Sequence, residues 1–326
     1  MMMKQGKTWR IAVIGAGGIG CYYGARLLTQ GHDVWFVARG AHLRALQATG
    51  LSLSHPDFNF NGKVEACSLN ELLAQQQPAD LDALLICTKA TATQEVAALL
   101  HDWFTRTGQK VPVISLQNGI DNEPQLADML GADCVIGGLA VRIGGHITCP
   151  GVVEATGVAQ VIMGTWPHAG SVADQCFGEL LPPLVEAFNQ AGIPTRQVTD
   201  IRRELWRKLL INNGVNPLSA LTGLDTRTLS NHPQFGSIVH QLMLEAASVA
   251  RADDEPLTTQ DADEMYELIR AFDPIKTSML VDLEKGRQLE VDAISGAVIR
   301  RARQLGLAVP YTETVHALLK HQLEGT

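Results

Sequence analysis

The segment Arg10–Gly20, RIAVIGAGGIG, limits what this chain can fold into more than any other. A short apolar run breaks into glycines at Gly15, Gly17 and Gly20 and then continues as CYYGARLLTQ. Ile11–Ile14 read as a buried strand and Ile19 onward as a helix that Gly31 closes. In that context GxGxxG is the turn that seats a dinucleotide pyrophosphate on a helix N-terminus. Gly15 makes the tight turn, Gly17 lets the backbone approach the phosphates without a Cβ in the way, and Gly20 lets the helix pack on the strand. The expected cofactor contacts here are Gly15, Ala16, Gly17, Gly18, Ile19 and Gly20.

The next strand discriminates between cofactors. It is expected over His32–Val37, and in enzymes that use the unphosphorylated nicotinamide dinucleotide an acidic residue at its end accepts from the ribose 2′-hydroxyl. Here the strand ends in Ala38, Arg39 and Gly40. A guanidinium at Arg39 suits a 2′-phosphate, and no carboxylate is expected there to repel it, so the expected cofactor is NADP(H). The plainer alternative for Arg39 is a solvent-facing loop residue.

With 326 residues the chain is long enough for two full cores. A net charge of −8 with no dense Lys/Arg run argues against nucleic acid and leaves a small molecule as the expected partner. The start, MMMKQGKTWR, carries a few basic residues, but the apolar stretch after it is the glycine-rich turn rather than a signal segment. No apolar run reaches the ~18 residues of a membrane span, so no membrane partner is expected. The six cysteines (Cys21, Cys67, Cys87, Cys134, Cys149 and Cys176) are scattered without metal-ligand spacing and read as buried thiols of a cytoplasmic protein; no metal is expected. The ten histidines form no ligand pattern and read as ordinary core or surface residues.

Strand and helix signals alternate through the first half. Leu81–Thr88, Val111–Leu116 and Cys134–Ala140 read as strands, Ala92–Trp103 and Asn122–Leu130 as helices, and the pattern implies a doubly wound, Rossmann-type parallel sheet. From Gly144 to Gly164 the texture changes to short antiparallel segments that extend the sheet at one edge. Val172–Gln190 reads as one long amphipathic helix and Ile193–Val198 as a last strand. Beyond Asp200 only helical periodicity remains, over Ile201–Leu221, Gly236–Ala252, Thr259–Ala271, Ile275–Leu305 and Glu313–Leu323. The expected organisation is an α/β dinucleotide-binding domain over 1–198 and an all-α domain over 199–326, with substrate beyond the carboxyl ends of the strands, in the cleft between them.

Polar residues stand where apolar ones would serve a fold equally well. Lys89 follows the strand LLICT and can hold a carboxylate or the cofactor, or merely open a helix; Asn118, in SLQNG, can donate to a substrate oxygen. Lys208, Asn212 and Asn216 fall at i, i+4 and i+8 on one helical stripe. Asparagine is a poor helix former, and two in register beside Gly214 and Pro217 sacrifice stability that a solvated face has no reason to lose. Ser278 sits near the start of the long C-terminal helix. Further along it, Glu290 lies between Leu289 and Val291, an apolar setting in which its carboxylate needs a donor: a substrate hydroxyl, Lys208, or Arg287 in an ion pair.

Taken in order, GAGGIG, ARGAHLRAL, CTKA, QNG, CPGVVEATG, KLLINNGVNPLSAL, PIKTSMLVDLEKGRQLEVDAISG and GLAVP span nearly the whole chain, and together they resemble the ketopantoate reductase family. The resemblance implies reduction of ketopantoate to D-pantoate by NADPH, on the route to pantothenate and coenzyme A, in a monomer or homodimer. It implies Lys208 as the general acid, Glu290 as the residue that orients substrate and lysine, and Asn118, Asn212, Asn216 and Ser278 as holders of the substrate carboxylate and hydroxyls. It also places Lys89, Asn118 and Glu290 at the cofactor. A cationic donor beside a ketone under hydride attack stabilises the transition state more than the ground state, and desolvation lowers a lysine's pKa toward the working pH. Two departures stand out: Asp225 and Thr226 replace a substrate-contacting asparagine of the family, and Ser295 replaces the asparagine often found before the glycine of EIDxING. They keep open the reduction of another branched 2-oxo acid and, from a different class, a non-catalytic NADP sensor; Lys208 and Glu290 speak against the sensor.

Overall fold

The computed structural model describes residues 7–324; Met1–Gly6, the start of the basic segment weighed against a targeting signal, lie outside the described residues. The chain divides into two compact units. One runs up to Gln117 and resumes over Asn122–Ile201; the other joins Asn118–Asp121 to the chain from Arg202 onward.

The first unit is built from β1 (Arg10–Ile14), α1 (Gly18–Thr29), β2 (Asp33–Val37), α2 (Gly40–Ala48), β3 (Leu51–His55), β4 (Phe58–Gly62), β5 (Glu65–Cys67), α3 (Leu69–Gln75), β6 (Ala83–Ile86), α4 (Thr93–Thr107), β7 (Val113–Ser115), α5 (Asn122–Leu130), β8 (Val135–Cys149), β9 (Val152–Thr165), α6 (Val172–Phe177), α7 (Leu181–Gln190) and β10 (Thr195–Gln197). Its single sheet follows the order β4-β3-β9-β8-β7-β6-β1-β2-β5, with β10 beside β9. From β8 to β5 all neighbours are parallel. β1 is flanked by β2 on one side and β6 on the other, so the strand order reverses at β1, the position at which such sheets bind ligands. Ile11–Ile14 are at most 2% exposed, because a parallel strand covered on both faces must be apolar throughout. Ile11, Val13, Tyr22, Leu27, Val161, Met163, Leu184 and Phe188 bring β1, α1, β9 and α7 into one core; each such side chain contributes about 1.5–3 kcal/mol on burial.

The Gly144–Gly164 region is one long hairpin rather than several short segments: β8 and β9 pair from Ile136↔Thr165 to Cys149↔Val152. Arg142, Gly157 and Ala159 take positive φ at a bulge within it, so residues that read as a turn bend the ladder without ending it. β3 lies along the first half of β9 and β10 along its second half, which leaves β4, a strand the sequence reading passed over, at the edge. The helix expected over Val172–Gln190 is two, α6 and α7. Pro182 in the first turn of α7 suits a helix start, where an N–H is not required, rather than a helix interior. The cysteines are all free, but Cys149 and Cys176 are exposed rather than buried.

The second unit consists of α8 (Ile201–Thr222), whose first residue falls in the sheet unit, α9 (Thr226–Asn231), α10 (Phe235–Ala252), α11 (Thr259–Ala271), α12 (Ser278–Glu284), α13 (Ser295–Gln304) and α14 (Pro310–Glu324). A Cβ at Gly214 would meet Met243 at 2.8 Å, so α10 packs on α8 where α8 has no side chain. The buried Asn213 amide ties α8 to Leu242 O on α10 (3.0 Å) and to Thr312 Oγ1 on α14 (3.2 Å). Glu245 of α10 in turn accepts from the backbone N–H groups of Tyr311 and Thr312, a carboxylate capping the N-terminus of α14. The helix expected over Ile275–Leu305 is broken. Gly286, at φ +62°, lies just beyond α12, and Glu290 lies in the turn before α13 rather than on a helix. α9 was not expected; Asp225 caps it by accepting from Thr228 N at 2.9 Å. Among the described residues no helix is long and apolar enough to cross a membrane.

The α1–β8 packing is checked by Gly18→Ala. A Cβ there would overlap the Gly145 carbonyl and His146 N, which are backbone atoms that cannot rotate away. Thermal denaturation should show a loss of about 1–3 kcal/mol as a lower Tm; an unchanged Tm would mean that the hairpin moves aside freely.

Candidate active site

The glycine-rich turn is held by backbone alone. Gly15 N and Ala16 N both donate to Val37 O, at 3.0 and 2.8 Å, which hangs the turn on the end of β2. Gly15 has φ +96°, and a Cβ on it would lie 2.6 Å from Thr88 N, so this turn and the turn after β6 meet backbone to backbone. At Gly20 a Cβ would strike Gly15 O and reach Val13 Cγ1 at 2.9 Å, the close helix–strand packing expected of it. Around Gly17, by contrast, nothing lies within 4 Å of the Cβ position. Gly17 is the N-cap of α1; no side chain caps that helix and no acid occupies its first turn. An open approach at Gly17 and the positive end of a 12-residue helix suit an anionic group such as a pyrophosphate.

Beneath the turn Cys21 Sγ donates to Ala16 O at 3.2 Å and lies 3.7 Å from His42 Nε2, while Gly151 N donates to His42 Nδ1 at 3.1 Å. Burial pushes the His42 pKa down and the Cys21 thiol far up, so both are neutral packing groups.

Arg39, the N-cap of α2, is exposed, and its Nη1 lies 3.8 Å from Glu95 Oε2 of α4. The expectation that no carboxylate approaches Arg39 is therefore corrected: Glu95 is 56 positions away in sequence and close in space. With side chains 79% and 66% exposed, the pair contributes little.

Lys89 follows β6 and is exposed. The turn it stands on is clamped by Gln117, a buried residue that the sequence reading did not single out. Its Nε2 lies within hydrogen-bond reach of Thr88 O (3.1 Å), Lys89 O (3.3 Å) and Thr93 Oγ1 (2.9 Å). An amide at the end of an otherwise apolar strand was the available signal.

In the helical unit, Asn118 Nδ2 donates to Glu290 Oε2 at 3.1 Å, although the residues stand 172 positions apart. Asn118 thus supplies a donor that Glu290 was expected to need, while Arg287 Nη1 lies 3.7 Å from Asp282. Three positions beyond Asn118, Asp121 accepts from Arg300 Nη2 (2.8 Å) and Arg301 Nη2 (2.9 Å) of α13. Arg301 also holds Asp253 through Nη1 at 2.9 and 3.0 Å, and Arg202 of α8 reaches the same carboxylate at 2.8 Å. This half-buried chain of charges pins the Asn118 segment onto the helices. On α8, Lys208 and Asn212 are half-buried and Asn216 is 4% exposed. Ser278 is the exposed first residue of α12; its neighbour Thr277 is the N-cap. Among the described residues no cluster of His, Cys, Asp or Glu is arranged to hold a metal.

Comparisons with known proteins agree over both units. Residues 11–168 match the model of the family described as ketopantoate reductase PanE/ApbA, and 200–323 match the model of its C-terminal part. A 2-dehydropantoate 2-reductase of Mesorhizobium japonicum is 31% identical over 95% of this chain and 97% of its own length; one of Pyrococcus abyssi is 27% identical over 97% and 99%. The crystal structure of a ketopantoate reductase of this family from Ralstonia eutropha JMP134 superposes with a TM-score of 0.81 at 30% identity, covering 95% of this chain and 97% of that one. The family consists of nicotinamide-dependent oxidoreductases.

The open space at Gly17 generates a prediction opposite to that for Gly18. Gly17→Ala should leave the Tm within about a degree, since its Cβ meets nothing, yet weaken nucleotide binding severalfold in a fluorescence titration, because the Cβ occupies the approach to the phosphates. Equal affinity in the two proteins would remove Gly17 from the cofactor contacts.

Proposed function

We propose that this chain, which belongs to the ketopantoate reductase family, reduces ketopantoate to D-pantoate with NADPH, the step that feeds pantothenate and coenzyme A synthesis. The observation that carries the reading is the Asn118–Glu290 hydrogen bond of 3.1 Å, which joins a strand-end amide and a turn carboxylate that a fold alone has no reason to bring together. When bound, NADPH supplies the hydride for the keto carbon.

In this reading the sheet unit holds the cofactor at Gly15, Ala16, Gly17, Gly18, Ile19 and Gly20, with Lys89, Asn118 and Glu290 also placed at it, and Arg39 reads the 2′-phosphate. The exposed Glu95 pair at Arg39 is weak enough for a phosphate to displace it. The helical unit supplies the proton. As charge develops on the keto oxygen, Lys208 Nζ donates its proton to the forming alkoxide and is later reprotonated from solvent. Glu290, held by Asn118, orients the substrate hydroxyl and the lysine. Asn118, Asn212, Asn216 and Ser278 hold the substrate carboxylate and hydroxyls through hydrogen bonds to each.

A second reading, reduction of another branched 2-oxo acid, is favoured by the residues that replace the family's asparagine. Asp225 uses its carboxylate to accept from Thr228 N and Oγ1, and Thr226 donates its hydroxyl to Asp273 O at 3.1 Å. Both are committed to the fold and offer no amide to a substrate. NADPH oxidation followed at its absorbance with a panel of 2-oxo acids separates the two readings. Ketopantoate should give the highest kcat/KM; a higher value for another acid would assign that acid, and oxidation with none would overturn catalysis altogether.

Lys208→Ala should lower kcat by about 10²- to 10⁴-fold with NADPH affinity nearly intact, and an unchanged rate would remove Lys208 from proton transfer. Arg39→Ala should raise KM for NADPH far more than for NADH. Equal effects would mean that the 2′-phosphate is read elsewhere.

A further inference from the structure

Glu290 stands on neither a helix nor a strand, so the position of its carboxylate depends on what holds the turn over 287–294. One carbonyl gathers the ties. Val291 O accepts from Gly296 N at 3.0 Å and from Ser295 Oγ at 3.2 Å, and Ser295 Oγ meets His316 Nδ1 of α14 at 2.8 Å. A hydroxyl has one hydrogen, so both bonds coexist only when that hydrogen goes to Val291 O and His316 Nδ1 is the donor. The chain runs from His316 Nδ1–H to Ser295 Oγ–H to Val291 O. Ser295 is 1% exposed, so no water competes for these bonds. α14 grips the same turn at a second point: Asp292 lies 3.8 Å from His316 Nε2 and accepts from Lys320 Nζ at 3.0 Å.

We propose that His316 is a positioning residue for Glu290: through Ser295 it fixes the Val291 carbonyl, and together with Lys320 it fixes Asp292, so that the Glu290 carboxylate stays in register with Asn118 Nδ2. The role of Glu290 in the reaction rests on the function proposed above; the grip on the turn does not. The groups around His316 are Asp292, Lys320, Arg300 and Arg303. Burial lowers its pKa, the three cations act in the same direction and Asp292 opposes them. Near neutral pH the ring is uncharged, and the arrangement in which both bonds coexist puts its hydrogen on Nδ1. A proton taken up in acid goes to Nε2, facing Asp292, and leaves the donor to Ser295 in place. The grip therefore holds in either charge state, as a static anchor rather than a pH switch.

In this chain a serine and a histidine from two helices do the holding, which makes His316 a residue whose loss reaches Glu290 without touching substrate.

The test uses the full-length protein with His316→Leu, His316→Asn, Ser295→Ala and the His316→Leu/Ser295→Ala double variant. His316→Leu should lower kcat/KM for the 2-oxo acid about tenfold or more, with a smaller loss of NADPH affinity because Glu290 is also placed at the cofactor. It should also speed backbone hydrogen exchange over 287–296, read by mass spectrometry. His316→Asn, whose amide can donate to Ser295 Oγ, should restore most of both. Ser295→Ala should reproduce the leucine variant, and the double variant should add little to either. If His316→Leu does not fold, Ser295→Ala carries the test, because it deletes a single oxygen. Unchanged exchange over 287–296, faster exchange with unchanged kcat/KM, or an asparagine variant as impaired as the leucine one would overturn the proposal. A wild-type protein that turns over no 2-oxo acid would sink the functional reading instead, and the exchange data would still decide whether His316 holds the turn.

Discussion

The contact of bare backbone with bare backbone at the start of α1 is the constraint on which the sheet unit depends. At Gly15 the turn after β1 lies against the amide of Thr88, and at Gly18 the first turn of α1 lies against the peptide of Gly145 in the long hairpin. A methyl group at either place would strike backbone atoms and force the segments apart. This closeness brings the turn after β1 against the turn that carries Lys89, and leaves the end of α1 uncapped and open at Gly17. An uncapped helix N-terminus is a local loss of stability, and a bound anion is the natural group to offset it.

The helical unit is organised differently, by charge and amide groups inserted between helices. Arg301 lies between two carboxylates, Asp121 and Asp253, with Arg202 and Arg300 completing a chain of alternating charge. Such a chain loses most when an aspartate is removed, because each aspartate holds two arginines. α13 stands at its centre: its first residue, Ser295, ties down the turn with Glu290, and its arginines tie down the segment with Asn118. One helix thus sets both partners of a hydrogen bond that is otherwise made between two irregular segments.

Much of this was legible in the sequence because the relevant physics is local. The apolar run Ile11–Ile14, the glycines after it and the regular helices Asn122–Leu130 and Thr259–Ala271 follow from periodicity and backbone freedom alone. Where the reading failed, a distant partner decided the outcome. Residues 275–305 carry an apolar pattern compatible with one helix, but Gly286 and the ties at Val291 make two helices and a turn. The hairpin β8–β9 resembles a series of turns because its bulge uses residues that also serve as turn formers. Of the site residues, the pairing of Asn118 with Glu290 was not legible as such: the need for a donor was, from the apolar neighbours of Glu290, but its identity required the fold. Gln117, Asp121, Arg301 and His316 act through contacts across the fold that no spacing along the chain announces.

The assignment of Asn118–Asp121 to the helical unit has a bearing on modularity. A fragment cut at Arg202 would lose Asp121, the carboxylate that Arg300 and Arg301 share, leaving Arg301 with Asp253 alone, and would keep Glu290 but lose its amide partner. Exchange of this chain's carboxyl-terminal half for another therefore breaks these contacts unless residues 118–121 travel with it.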